Sequence, residues 1–243
     1  MHIVIPARYA STRLPGKPLA DVGGQPLICR VVERARESGA QSVTVATDDR
    51  RIADAVETAG GVAVMTAASH ASGTDRIAEA VALLGLADGE VVVNLQGDEP
   101  LMVPALVREV AKSLEGHAEW VIGTAAHAII DRAEFESPHV VKVVCADDGR
   151  ALYFSRAPIP YPRTRTGPPW GLRHIGLYAY RVGFLRAFRD MGVSSLEECE
   201  SLEQLRALAA GMAIGVVVTD HAPGPGVDTP EDLLRVRALW GGA

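Results

Sequence analysis

Cysteine is scarce in this chain of 243 residues. Cys29, Cys145 and Cys199 are an odd, widely spaced set with no CxxC pair, which argues against a disulfide framework and a structural zinc site. All three read as small buried or half-buried thiols. Long apolar runs are missing too. Nothing approaches the roughly 20 residues of a membrane-spanning helix, and the chain enters a strand at once with no signal-peptide pattern. The expected location is therefore cytoplasmic, with no membrane insertion. Positive charge is not in excess either: the formal net charge of −6 offers no long-range attraction to nucleic acid or an anionic membrane surface. An anionic ligand must then be met by local cations. The GxxxxGK[ST] of a P-loop is absent, and no GxGxxG follows the first apolar strand, which disfavours a dinucleotide-dependent oxidoreductase.

What is present suits a soluble globular α/β protein. Hydrophobic residues make up 48% of the chain and charged residues 22%, enough to bury a core in one large domain spanning 1–243 or in a domain with an inserted flap. Short β-branched runs at 2–5, 42–46, 62–65, 91–95 and 119–124 alternate with helix-period segments, the pattern of a mostly parallel sheet flanked by helices. A helix near Pro26 can end at Gly39, and further helices are expected over 50–59 and 74–85. In the last of these Ile77, Val81 and Leu84 share a face, leaving Asp75, Arg76 and Glu79 on the helix surface.

From residue 138 the pattern changes. VVKVVCADDGRALYFSR predicts two strands joined by a turn at 147–149, an antiparallel hairpin. The proline-rich APIPYPRTRTGPPWG reads as an ordered loop or lid, so a smaller antiparallel insertion with its loop covers about 138–181. RHIGLYAYR returns as a strand whose alternation places His174 and Tyr178 on one side. One amphipathic helix is expected over 196–210, then a strand at 213–219 and a terminal helix at 230–240.

Several residues carry possible chemistry. IVIPARYASTRLPGKPL at 3–19 runs from a buried strand into a loop presenting Arg8, Arg13 and Lys17, at the strand end where open α/β sheets bind ligands. Arg offers a planar fork and Lys a mobile point charge, a pairing that suits a polyphosphate, although three basic residues in a loop also describe a solvated surface. VVVNLQGDEP delivers Gln96, Gly97 and Asp98 to the same sheet edge. Asp98 is placed to hold a divalent metal with a second carboxylate, for which Asp228 in GVDTPEDL is the candidate. Asp228 or Thr229 could equally cap the helix that follows. His174 by itself reads as a satisfied, partly buried side chain, and Glu203 and Gln204 as part of a solvated helical face.

Seven strings occur in order: IPARYASTRLPGKPL, SGTDRIAEA, VVNLQGDEPL, YFSRAPIPY, RHIGLYAYR, LEQLRAL and VDTPEDL. Over residues 3 to about 234 the chain resembles the 3-deoxy-manno-octulosonate (Kdo) cytidylyltransferases, or CMP-Kdo synthetases. The resemblance implies a nucleotidyltransferase α/β fold, a homodimer, CTP and Kdo as substrates, Mg²⁺ as cofactor, and CMP-Kdo formation for lipopolysaccharide synthesis in a Gram-negative bacterium. By the same resemblance Arg8 and Lys17 belong to a triphosphate-binding loop, with Pro6 and Ala7 meeting the nucleotide through the backbone and Arg13 contributing. Ser72, Gly73 and Arg76 would read the nucleotide. Asp98 and Asp228 would hold metal, and Lys17, Arg8 and Asp98 would carry catalysis. Gln96, Arg156, His174, Tyr178, Glu203 and Gln204 would line the sugar pocket. Residue 75 is Asp where many relatives carry Glu, a shortening expected to touch packing rather than chemistry. The rival readings are a cytidylyltransferase for sialic acid or 8-amino-Kdo, and a CTP-binding sensor without turnover.

Overall fold

The computed structural model describes residues 1–10, 13–70, 72–164, 166–220 and 222–240. Contacts divide the chain into two compact units, Met1–Arg108 with Pro223–Ala243, and Glu109–Ala222. The division falls at 108/109 and 222/223, wider than the 138–181 segment where the sequence pattern changes.

In the first unit four strands lie parallel in the order Val91–Asn94, His2–Ala7, Ser42–Thr47, Val62–Met65. Ile3, Val4 and Ile5 have no exposed surface, because helices cover both faces of a parallel sheet and a central strand then needs an unbroken apolar run. The helices are Leu27–Glu37, Arg50–Thr58 and Gly73–Leu83. Two start as side chains dictate: Asp49 accepts from the Arg51 amide, and Ser72 from the Asp75 amide, each satisfying an otherwise orphaned donor. The helix Pro230–Trp240 closes the unit by packing Leu233 and Val236 with Val22, Leu27 and Val227. Parallel strands end on the same side, so the loops after Ala7, Thr47, Met65 and Asn94 share one edge of this sheet.

In the second unit Trp120–Ile129 pairs antiparallel with Gly171–Arg181, which pairs antiparallel with Lys142–Cys145, which forms the expected hairpin with Ala151–Ser155. The strand expected at 119–124 thus runs to residue 129 and is parallel only to Ala213–Val218. His174 and Tyr178 do share a face, their ring centroids 5.3 Å apart.

The single helix expected over 196–210 is instead two, Ser195–Glu200 and Gln204–Ala209, with Ser201 between them at φ 52°. In a straight helix Glu197 and Arg206 would stand about 13 Å apart along the axis. The break brings them into an ion pair at 2.6 Å. Cys29 is buried and Cys145 half-buried as expected, but Cys199 is exposed, because no residue of the Ser195–Glu200 helix is buried.

Candidate active site

Two glycines shape the edge of the first unit. Gly16 adopts φ +69°, a left-handed conformation that costs glycine little, and a Cβ there would lie 3.1 Å from the Tyr9 hydroxyl. Its amide donates to the Tyr9 carbonyl at 3.3 Å, and the Arg51 guanidinium sits 3.5 Å from the Tyr9 ring centroid. The loop is thereby folded so that the short 3₁₀ turn Lys17–Leu19 starts at Lys17. Gly97 allows a second close approach: a Cβ would meet the Pro6 carbonyl oxygen at 3.0 Å.

These approaches bring four charged groups together. The Lys17 ammonium donates to Asp98 Oδ2 at 2.7 Å and to Asp228 Oδ1 at 3.2 Å, while exposed Arg13 pairs with the same Asp228 oxygen at 3.1 Å. The Val227 amide donates to the Asp98 carbonyl at 2.8 Å, so the two carboxylates are tied through the backbone as well. Capping of the terminal helix falls to Thr229 and Asp232. Thr229 Oγ1 accepts from the Asp232 amide at 3.2 Å, and Asp232 Oδ2 accepts from the Thr229 and Asp228 amides at 3.0 and 3.3 Å, a reciprocal capping box. The bonds from Thr229 hold the Asp232 carboxyl below its usual range. The Asp228 carboxylate is thus left to face Lys17.

Pro6, Ala7, Arg8, Arg13, Lys17, Ser72, Gly73, Arg76, Gln96, Asp98 and Asp228 line one cavity of about 670 Å³. Arg76, expected on the helix surface, is only 4% exposed. Its Nη1 donates to Thr66 Oγ1 at 2.6 Å and its Nη2 to Asp48 Oδ2 at 3.2 Å, because a buried guanidinium requires an anion and acceptors close by. Its side chain is therefore a wall of the cavity fixed from behind.

The other five residues assigned to the sugar lie in the second unit. His174 Nε2 is 3.0 Å from Thr124 Oγ1, whose hydroxyl lies 2.8 Å from the Leu177 carbonyl. A hydroxyl has one proton to give, so the carbonyl takes it and His174 is the Nε2–H tautomer, leaving Nδ1 as an acceptor. Burial pushes the His174 pKa down to about 3. Below its ordinary value of about 6.5 the unfolded chain binds a proton that the folded state refuses, so stability falls as pH drops from 6.5 towards 3. Between pH 7.5 and 5 the wild type is expected to lose roughly 2 kcal/mol more than His174→Gln, read by urea unfolding at both pH values; equal losses would refute this.

Tyr178 is raised well above its usual pKa by burial, then by Tyr180 and Glu203, and stays a neutral phenol. Arg156 Nε donates to the Glu200 carbonyl at 2.8 Å and Nη1 to the Pro138 carbonyl at 3.1 Å. Gln204, expected on a solvated face, is 6% exposed, and its Nε2 is buried with no hydrogen-bond partner among the described residues. Glu203 is half-buried.

A family model described as cytidylyltransferase matches residues 2–214. The chain belongs to the cytidylyltransferase family. Among solved structures, this cytidylyltransferase is similar to that of a CMP:2-keto-3-deoxy-manno-octonic acid synthetase complexed with CTP. The two are 45% identical over 98% of this chain and 97% of the other, with a TM-score of 0.91. That identity bears out the resemblance carried by the seven ordered motifs. A cytidylyltransferase from Leptospira borgpetersenii serovar Hardjo-bovis (strain JB197) is 16% identical over 97% of this chain and 84% of its own, with a TM-score of 0.63, and shares the fold alone.

Within the cytidylyltransferase cavity the structure adds His70, which sequence reasoning missed. Its Nε2 pairs with Glu79, whose Oε2 also accepts from the Ala67 amide at 2.8 Å. A lone loop histidine carries no periodic signal, and its partner stands nine residues on, in the following helix. Gln96, grouped with the sugar from sequence, lines the same cavity as Arg8, Arg13 and Lys17.

Proposed function

We propose that this cytidylyltransferase transfers CMP from CTP to the anomeric hydroxyl of Kdo, releasing diphosphate. The observation that carries the reading is the meeting of Asp98 and Asp228 at Lys17, inside a cavity walled by Arg8, Arg13 and the start of the Gly73–Leu83 helix. The 45% identity to a synthetase complexed with CTP supports CTP as the nucleotide.

The hydroxyl oxygen attacks the α-phosphorus in line, giving up its proton to solvent water, as the bond to the β-phosphate oxygen breaks. Such transfer depends on positioning and charge stabilisation and needs no covalent enzyme intermediate. Lys17, on a flexible stem, stabilises charge growing on the α-phosphate oxygens. Arg8 and Arg13 hold the departing diphosphate. Ser72 and Gly73 stand at the amino end of an 11-residue helix, whose free amides and dipole favour an anion. Pro6 and Ala7 present backbone to the nucleotide, with Arg76 behind.

The residues fit Mg²⁺. Asp98 and Asp228 already share one cation, and among the described residues no cluster of three acidic, histidine or cysteine side chains could cage a metal alone. Two carboxylates completed by phosphate oxygens and water are the donor set Mg²⁺ favours. When bound, the ion neutralises phosphate charge and lowers the pKa of a coordinated hydroxyl.

In the second unit neutral His174 and Tyr178, the guanidinium of Arg156, half-buried Glu203 and the Gln204 Nε2, which has no partner among the described residues, supply donors and acceptors suited to a polyhydroxy acid. The same reading carries a cytoplasmic homodimer serving lipopolysaccharide synthesis. Exposed Leu152, and exposed Tyr161 beside an apolar groove of about 510 Å³, support a subunit contact on the second unit.

Diphosphate release from CTP is the test, with Mg²⁺ or EDTA and with Kdo, 8-amino-Kdo or N-acetylneuraminate as acceptor. Release that requires both Kdo and metal is expected. Release with another acid alone moves the sugar assignment, and none with any acid leaves a nucleotide-binding protein.

A further inference from the structure

The Lys17 ammonium stands between the two carboxylates at 2.7 and 3.2 Å, the position a metal ion shared by Asp98 and Asp228 would take. We infer that Lys17 is the resident counter-ion of this pair, that it keeps free divalent metal out, and that the cavity takes metal only as the chelate a nucleoside triphosphate carries in. This rests on the reading of Asp98 and Asp228 as metal ligands.

Three features support it. The first is charge. Arg8, Arg13 and Lys17 face two carboxylates in the cavity, so a divalent ion arriving alone meets surplus positive charge, whereas a metal–triphosphate chelate arrives as an anion. The second is burial. The Lys17 side chain is 14% exposed, and a largely desolvated ammonium cannot leave its carboxylates unless another anion receives it. Phosphate oxygens are such an anion, and no other acidic side chain lines the cavity among the described residues. The third is mobility. Gly16 fixes where the Lys17 backbone sits, while the four-carbon stem lets the charge swing from carboxylate to phosphate without moving the loop. Arg13 is not equivalent, because it is 64% exposed and reaches Asp228 alone.

The probe is Mn²⁺ binding to nucleotide-free protein, followed by calorimetry and by the loss of the free-ion electron spin resonance signal. Lys17→Gln is expected to bind Mn²⁺ at least about tenfold more tightly than wild type. Lys17→Arg keeps the charge and should keep the exclusion, which separates a charge effect from altered packing. Arg13→Gln should gain less than about threefold. Adding Asp98→Asn to Lys17→Gln should abolish the gain. With CTP present, the wild type should bind Mn²⁺ as well as Lys17→Gln or better.

If wild type and Lys17→Gln bind Mn²⁺ equally without CTP, and Asp98→Asn weakens both, the inference is overturned while the metal reading stands. If Asp98→Asn changes Mn²⁺ binding in no protein, with or without CTP, the metal reading fails and the inference with it.

Discussion

Asp98→Asn is expected to lower kcat on the order of 10³-fold while leaving the protein folded. One well-placed charge-stabilising group is worth about 10²–10³ in rate, and on the proposed mechanism Asp98 has two such duties, holding the metal and orienting Lys17. Stability should hardly move. Lys17 keeps its contact with Asp228, Asp98 is 30% exposed, and a partly solvated ion pair contributes about 1 kcal/mol or less. The measurement is diphosphate release beside thermal unfolding. Near-normal turnover would remove Asp98 from the mechanism, and a large drop in melting temperature would make its role structural.

The largest loss of stability is expected at Arg76. Arg76→Met leaves the Asp48 carboxylate with neither its ion pair nor a replacement donor, and Asp48 Oδ1 already lacks a partner among the described residues. Breaking one side of a buried pair costs about 3–5 kcal/mol, chiefly because the other charge stays behind. Asp48→Leu combined with Arg76→Met should recover most of this, since the penalty belongs to the orphaned charge. Urea unfolding of both single variants and the double one measures the coupling. A loss below about 1 kcal/mol in Arg76→Met, or no recovery in the double variant, would show that the pair is not what holds this corner. CTP binding should weaken in both, because Arg76 also lines the cavity.

These effects were unevenly legible in the sequence. The strands were readable because burial on both faces leaves an uninterrupted apolar run, as at Ile3–Ile5, and the hairpin because its turn residues are local. Arg76 was misjudged: helical period located Ile77 and Val81, but the partner that draws Arg76 inward comes from the loop after Thr47, which only folding brings close. The break at Ser201 was hidden for a similar reason. The spacing of Leu202, Leu205 and Leu208 is continuous, while the Glu197–Arg206 pair that accompanies the break joins residues nine apart. Asp228 could have been a cap or a ligand, and Asp232, four residues on, takes part in the cap and leaves its carboxylate to Lys17. For the candidate site, motif order carried more than any single motif, and His70 lay in a stretch with no pattern to read.

Because the first unit joins Met1–Arg108 to Pro223–Ala243, segments far apart in sequence, its cavity has an order of assembly in time. Arg8, Lys17 and Asp98 leave the ribosome first, and Asp228, the Val227 amide that grips the Asp98 carbonyl, and the helix that buries Leu233 and Val236 follow much later. At about 5–20 residues per second, the interval between residues 98 and 228 is on the order of ten seconds. Throughout it the nascent chain holds Lys17 and Asp98 without the second carboxylate, so on the proposed mechanism nucleotide turnover waits for residue 228.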